Sequence, residues 1–180
     1  MIDWKTVSLE NLAGFLSHEL RKRGIEIILV GGACVSIYSH NRYQSYDLDF
    51  VAYEDMKKVK QALSELGFHE NGGYFKHVDC DWIVEFVSSP VAVGKEIISE
   101  FENVKVATGM IKMLRIQDSI KDRLASYFHW NDRQGLDQAI AICLEQTIDL
   151  SEVEHWSIKE GFQEKFQEFL KRLHKQQISS

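Results

Sequence analysis

Three acidic residues stand in segments whose other residues are typical of a buried strand. Asp47 and Asp49 alternate within residues 46–52, and Glu85 interrupts the apolar run of residues 83–87. Since side chains two positions apart on a strand point to the same face, the two aspartates project together, with Cα atoms about 7 Å apart. Two carboxylates this close repel each other, and a hard cation such as Mg²⁺ or Mn²⁺ relieves the repulsion through oxygen ligands. The pattern predicts a divalent-metal site on Asp47 and Asp49, with Glu85 as the third ligand.

The residue types leave two alternatives for the third ligand. Asp79 and Asp81 precede the strand that carries Glu85, and a period of two places all three on one face. An explanation without metal also stands. Edge strands often carry a solvated acidic face, and a charge inside an apolar strand is often paired with Arg or Lys.

A pair of glycines precedes the acidic strand. Gly31 and Gly32 follow the β-branched run of residues 25–30, and twelve residues separate them from Ser45. Glycine lets the backbone approach a ligand closely, and the amides that open the short helix predicted over residues 33–38 can donate to phosphate oxygens. The glycines therefore predict a phosphate-binding turn, and we assign Ser45 with them to nucleotide binding.

The elements that must position these residues follow from hydrophobic periodicity. The spacing predicts strands over residues 25–30, 46–52 and 81–87, a hairpin over 68–77, and one or two strands over 104–116 at the edge of the sheet. Helices are predicted over residues 9–20, 33–38 and 56–66, and the apolar spacing is helical from residue 118 onward. Ser151 to Glu154 has the form of a capping box. We predict an α/β domain over residues 1–116 and a helical C-terminal region over 117–180, packed on it.

Composition excludes several classes of protein. The chain has 180 residues, 44% of them hydrophobic, and a net charge of −6, so it is not a disordered chain and has no overall positive field for nucleic acid. We find no apolar run near the roughly 20 residues that a membrane helix needs, and no signal peptide, so we expect a soluble, cytoplasmic protein. The three cysteines lack ligand spacing and are expected to be reduced and mostly buried.

The order of strand, Gly31-Gly32, helix, Asp47-x-Asp49 strand and later acidic strand resembles the nucleotidyltransferase superfamily of DNA polymerase beta. The resemblance implies an α/β fold with a mixed sheet flanked by helices. It also implies a phosphate-binding turn at the two glycines and Mg²⁺ or Mn²⁺ on Asp47 and Asp49, with Glu85 as the third carboxylate.

A second part of the chain resembles the abortive-infection-type nucleotidyltransferase toxins of bacterial toxin–antitoxin systems and their uncharacterised relatives. Residues 121–125 and 129–134 are similar to the helical Lys and Arg-Asp motifs of those proteins. The resemblance implies that Lys121 lies near the triphosphate and that Asp132 acts as base or orients the acceptor.

The resulting hypothesis is transfer of a nucleoside monophosphate from an NTP to an acceptor by two-metal catalysis. The acceptor is expected to be tRNA, protein or a small molecule. The alternative is a non-catalytic nucleotide-binding or regulatory module of the same fold. The glycine at position 32, where many active members carry serine, and the glutamate at position 85, where Asp is commoner, favour that alternative.

Overall fold

The structure, a computed structural model, describes residues 2–179. These residues divide into two compact units, each assembled from separate stretches of the chain. The sheet unit extends to Cys34 and adds Ser45–Val91 and Ser99–Leu114. The helical unit consists of Val35–Gln44, Ala92–Ile98 and the chain from Arg115 onward.

Helices and strands alternate from the first helix to the third strand, six further strands follow without a helix between them, and the remainder of the described chain is helical. The strands are β1 (Ile27–Val30), β2 (Asp47–Ala52), β3 (Phe68–Asn71), β4 (Tyr74–His77), β5 (Ile83–Val87), β6 (Ala92–Val93), β7 (Glu96–Ile97), β8 (Phe101–Val106) and β9 (Gly109–Leu114). The helices are α1 (Leu9–Lys22), α2 (Gly31–Tyr38), α3 (Met56–Glu65), α4 (Ile116–Trp130), α5 (Arg133–Glu145), α6 (Ser151–Lys159) and α7 (Gln163–Ser179).

A mixed β-sheet forms the core of the sheet unit. Within residues 2–179 its strands lie in the order β3-β4-β5-β2-β1-β9-β8. β2 pairs antiparallel with β1 and parallel with β5, and the buried side chains of β1 and β2 are apolar. Helix α1 packs on β1 and β9, and α3 packs against α1 and β3. The predicted mixed sheet flanked by helices is confirmed.

One pair of strands differs from its predicted place. The sequence predicts extended segments at the sheet edge over residues 104–116, but β9 lies inside the sheet, between β8 and β1, and runs parallel to β1. Ile111, Met113 and Leu114 on β9 are buried, whereas β8 alternates exposed and half-buried residues and is the edge strand. The sequence of a short amphipathic hairpin does not indicate which of its two strands pairs with a further strand of the sheet.

Helix α1 lies very close to the sheet at two glycines. A β-carbon on Gly109 would lie 2.5 Å from the carbonyl oxygen of Gly14, and a β-carbon on Gly14 would collide with Val106 Cγ2. Thr108 Oγ1 donates to the carbonyl oxygen of Asn11 in the same helix. The helix backbone therefore contacts the β8–β9 hairpin directly.

The helical unit contains α4 to α7 and the short β6–β7 ribbon, and the predicted helical C-terminal region is confirmed. The predicted capping box is wrong. The residue before α6 is Leu150, which makes no side-chain cap, and Asp149 takes that role because its carboxylate accepts from the main-chain N–H of Ser151.

The structure also bears on the cysteines and on membrane-spanning helices. Cys34, Cys80 and Cys143 are buried thiols that take part in no disulfide, as predicted. Among the described residues, no helix is long and apolar enough to cross a lipid bilayer.

Candidate functional site

The three predicted carboxylates lie on neighbouring strands of the sheet unit. Asp47 and Asp49 sit two positions apart on β2, so they share a face of the sheet. Glu85 on β5 is the direct partner of Asp49 in the parallel register, so its side chain leaves the sheet on that same face. All three residues are half-buried. The fold thus brings three like charges together on adjacent strands about 4.8 Å apart.

Gly31 places the backbone against this set of carboxylates. It has a φ of 68° at the point where β1 ends and α2 begins. A β-carbon at Gly31 would lie 2.5 Å from Asp49 Oδ2, closer than real β-carbons approach other atoms. The positive φ favours glycine, and the β-carbon of any larger residue would push the Asp49 carboxylate aside. Gly32, in the first turn of α2, is buried.

Ser45 lies beside the other aspartate. The residue is 3% exposed, and its hydroxyl oxygen lies 2.7 Å from Asp47 Oδ1 and 3.1 Å from the main-chain carbonyl oxygen of Asp47. Ser45 is predicted to bind nucleotide, whereas its hydroxyl contacts Asp47, a predicted metal ligand.

The chemistry of the donors fits a hard cation. Asp47 and Asp49 offer carboxylate oxygens from one strand face, the type of ligand that Mg²⁺ and Mn²⁺ prefer. Within residues 2–179, however, no group of three or more His, Cys, Asp or Glu side chains is arranged to hold a metal ion. Asp47, Asp49 and Glu85 therefore share a face without forming a complete three-ligand cage.

The alternative third ligands do not lie on the strand that was used to place them. Asp79 and Asp81 are exposed and precede β5, which begins at Ile83. The main-chain N–H of Cys80 donates to the carbonyl oxygen of His77, and the N–H of Asp79 donates to His77 Nδ1. This segment is a turn, so the period of two that placed both aspartates on the face of Glu85 does not apply to it.

Lys121 has an extensive set of contacts inside the helical unit. The residue is only 2% exposed. Its ammonium nitrogen lies 2.7 Å from Glu152, 3.3 Å from Asp118 and 3.4 Å from Glu96. Arg115 contributes a second cation, 2.7 Å from Asp118 and 3.0 Å from Glu152. These five residues form what we call the Lys121 cluster, in which opposite charges are paired.

The pKa shifts in the Lys121 cluster follow from these pairs. Burial lowers the pKa of Lys121, but the hydrogen bond to Glu152 and the charges of Asp118, Glu152 and Glu96 outweigh burial and raise it above its ordinary value. The hydrogen bond from Lys121 holds the pKa of the Glu152 carboxyl below its ordinary value. Both shifts favour the charged forms of Lys121 and Glu152. The predicted role of Lys121 at a triphosphate stays a prediction.

Asp132 begins a helix of the helical unit. It is exposed, precedes α5, and its carboxylate accepts from the main-chain N–H of Gln134 at 3.0 Å. An acidic N-cap stabilises the helix through this hydrogen bond and through the helix dipole. This contact explains the residue type in structural terms, and the catalytic role predicted for Asp132 stays a prediction.

Three pairs in these sites differ in how much signal the sequence carries for them. Tyr74 on β4 is the register partner of Glu85 and so lies on the face of the carboxylates, which only the pairing of β4 with β5 reveals. Asp118 and Lys121 have the i,i+3 spacing of an intrahelical ion pair, a signal that was available. Glu152 is 31 residues from Lys121, and no local sequence pattern predicts that ion pair.

Solved structures with this fold include two proteins described as nucleotidyltransferase-like or as a resistance factor. The chain matches an antigenic nucleotidyltransferase-like protein from Paracoccidioides brasiliensis with a TM-score of 0.57 and 13% identity, over 77% of this chain and 76% of that one. It matches the antibiotic-resistance factor ANT(2'')-Ia with a TM-score of 0.52 and 12% identity, over 98% of this chain and all of that one, 100%.

At these identities the comparisons show the fold alone, and they confirm the predicted nucleotidyltransferase-like architecture with C-terminal helices. The chain matches no protein-family model and no curated protein sequence.

Proposed function

We propose that this protein transfers a nucleoside monophosphate from an NTP to an acceptor and releases pyrophosphate. The observation that carries the proposal is the placement of Gly31 against Asp49, with Glu85 as the register partner of Asp49 on the next strand. A glycine turn, a helix start and facing carboxylates thus occur together in a fold shared with nucleotidyltransferase-like proteins. A triphosphate needs amide donors and a divalent cation at one place, and this is the part of the described chain that offers both.

The residues have separate tasks in this proposal. Asp47 and Asp49 hold Mg²⁺ or Mn²⁺, with Glu85 as the third carboxylate. When bound, the metal neutralises phosphate charge and lowers the pKa of the acceptor hydroxyl. Gly31 and Gly32 open α2 and offer main-chain amides to the phosphates. Lys121 and Asp132 are included on the sequence resemblance alone.

The proposed reaction is a single in-line displacement. The acceptor oxygen forms a bond to the α-phosphorus while the bond from that phosphorus to the bridging α,β-oxygen breaks. Pyrophosphate leaves with the bonding electrons, and the hydroxyl proton passes to a carboxylate of the set. The acceptor is proposed only as a hydroxyl or phosphate of tRNA, protein or a small molecule. A toxin role in a bacterial toxin–antitoxin pair and a cytoplasmic location remain predictions from the sequence.

A second candidate function is a nucleotide-binding module that has lost turnover. The Lys121 cluster favours it, because the cation predicted to face the triphosphate is held by Asp118, Glu152 and Glu96. An enzyme without that cation would have to offset the charge of departing pyrophosphate in another way.

Incubation with radiolabelled NTPs, Mg²⁺ and total cellular RNA and protein separates the two functions. A nucleotidyltransferase labels an acceptor and releases pyrophosphate, and Asp49→Asn loses about 10²-fold or more of the rate because the metal ligand is lost. Glu54→Gln is the matched control, since Glu54 is an exposed acid of the sheet unit paired with Lys58. NTP binding that needs Asp49 but labels no acceptor supports the module, and labelling that survives Asp49→Asn contradicts the proposal.

A further inference from the structure

We propose that Ser45 is a positioning residue that fixes the carboxylate of Asp47 for the divalent cation. The inference rests on the proposed function, because it gives Ser45 a task only if Asp47 is a metal ligand. In this inference Ser45 does not make the nucleotide contact that the sequence predicts. It holds the carboxylate of Asp47 in place instead.

The first observation is the hydrogen bond itself. Ser45 Oγ lies 2.7 Å from Asp47 Oδ1 and 3.1 Å from the main-chain oxygen of the same residue. A hydroxyl has one proton to donate, and the shorter contact is with the oxygen that carries charge. A separation of 2.7 Å lies within the range of a hydroxyl that donates to a carboxylate. The donor and the acceptor are two residues apart, at the start of β2.

The second observation is burial. Ser45 is 3% exposed, so solvent does not compete for its hydroxyl, and the bond to Asp47 is stronger than the same bond at the surface. Burial alone does not force such a partner. Ser17 in α1 is 2% exposed, and its hydroxyl has no hydrogen-bond partner among the described residues. The two serines are matched in burial and differ in what the hydroxyl contacts.

The consequence concerns the orientation of a ligand. An aspartate side chain rotates about its Cβ–Cγ bond, and a free carboxylate must lose that freedom when it binds a cation. A bond to Oδ1 fixes the plane of the carboxylate beforehand. Partners of this kind, which orient a metal ligand without touching the metal, change metal affinity by about 10- to 100-fold when removed.

The test is a Mn²⁺ titration of the full chain without nucleotide, with free Mn²⁺ measured by electron paramagnetic resonance. Ser45→Ala is expected to weaken Mn²⁺ binding about tenfold. Ser45→Thr keeps the hydroxyl and is expected to restore most of the affinity. Ser45→Cys replaces the hydroxyl with a weak donor and keeps a side chain of similar size, so it covers the case in which Ser45→Ala folds poorly. It is expected to bind Mn²⁺ about tenfold more weakly than the wild type. Ser17→Ala is the matched control and is expected to bind Mn²⁺ as the wild type does.

Thermal unfolding in EDTA and in Mn²⁺ distinguishes positioning from packing. If Ser45 acts on the cation site, Ser45→Ala loses Tm mainly in Mn²⁺, whereas a packing role lowers Tm equally in both solutions and overturns the inference. Wild-type Mn²⁺ affinity in both Ser45→Ala and Ser45→Cys, with affinity lost in Asp49→Asn, also overturns it and leaves the proposed function intact. No Mn²⁺ binding by the wild type, or binding that survives Asp49→Asn, overturns the proposed function, and the role of Ser45 with it.

Discussion

The sheet unit and the helical unit each hold a group of charged side chains, and the two groups are built in opposite ways. Strand register places Asp47, Asp49 and Glu85 side by side with like charge, on half-buried positions. In the Lys121 cluster, the buried Lys121 and Asp118 are paired with each other and with further opposite charges. The second group pairs each buried charge with an opposite charge inside its own unit. For the first group we propose that a divalent cation relieves the repulsion between the carboxylates.

The largest expected effect tests whether the Lys121 cluster is structural. Lys121→Met leaves Asp118, which is 0% exposed, with Arg115 and without the ammonium group. Because removing one partner of a buried ion pair is strongly destabilising, we expect the free energy of unfolding to fall by about 3 kcal/mol in urea denaturation.

Lys58→Met is the control for that substitution, because Lys58 is exposed and 3.7 Å from Glu54. It is expected to lose less than about 1 kcal/mol. Unchanged stability in Lys121→Met, combined with lost NTP binding, would move Lys121 from the structural group to the ligand site and remove the contrast between the units.

The second effect tests the carboxylate set through Gly31. Gly31→Ala and Gly24→Ala both place alanine at a positive φ, 68° and 73°, which is expected to cost about 1–2 kcal/mol in each case. Only at Gly31 does the new β-carbon meet a side chain, Asp49 Oδ2, since nothing lies within 4 Å of the one at Gly24. Gly31→Ala should therefore displace the carboxylate and also lose the stabilisation by Mn²⁺, about 2.7 kcal/mol at a hundredfold excess over Kd.

Thermal unfolding of both glycine variants with and without Mn²⁺ measures this difference. Equal stabilisation of Gly31→Ala and Gly24→Ala by Mn²⁺ would mean that Asp49 does not bind the cation.

A smaller effect decides the third carboxylate. Glu85→Gln keeps the size of the side chain and removes its charge, and we expect Mn²⁺ affinity to fall about tenfold, or about 1.4 kcal/mol. Asp81→Asn, an equivalent change in the exposed turn before β5, is expected to leave the affinity unchanged. Isothermal titration with Mn²⁺ compares the two variants. The opposite result assigns the third ligand to Asp81 and makes the register partnership of Glu85 with Asp49 incidental.

The smallest effect is the pH dependence of the Lys121 cluster. The pKa of Glu152 in the folded protein is held below its ordinary value of 4.5 by the hydrogen bond from Lys121. A lowered carboxyl pKa stabilises the fold fully above pH 4.5, and this contribution is lost as the pH falls through the folded value. Glu152 is 44% exposed, so solvent screening keeps the contribution under about 1 kcal/mol.

Chemical denaturation between pH 6 and pH 3 compares the wild type with Glu152→Gln. The wild type is expected to lose more stability than the variant below pH 4.5. Parallel curves for the two proteins would show that the pair contributes nothing to stability.

The placements of candidate site residues that the sequence predicts and the structure shares depend on short-range pattern. The glycine turn after β1 and the alternation of Asp47 and Asp49 on β2 each lie within one strand and its neighbouring turn. Asp79 and Asp81 were placed by extending the strand period backward, but a turn precedes β5, and a period of two holds only where the chain is extended.

The parts that could not be predicted depend on contacts distant in sequence. Glu96 and Glu152 are 25 and 31 residues from Lys121, so a buried lysine with several partners is indistinguishable in the sequence from a surface lysine. The interior place of β9 depends likewise on its pairing with β1. The assignment of residues 35–44 and 92–98 to the helical unit follows from such contacts, and no change in composition marks it.

The crossing of α1 over the β8–β9 hairpin limits how this sequence can vary. Gly14 costs about 1 kcal/mol of helix propensity relative to alanine, yet neither Gly14 nor Gly109 has room for a β-carbon. A substitution at Gly14 makes no room for a β-carbon at Gly109, and the reverse also holds. Successive single substitutions at the two positions are therefore each expected to destabilise the protein. Related sequences in which α1 packs equally close to the β8–β9 hairpin are expected to retain both glycines. In sequences that lack one of them, α1 is expected to lie farther from the hairpin.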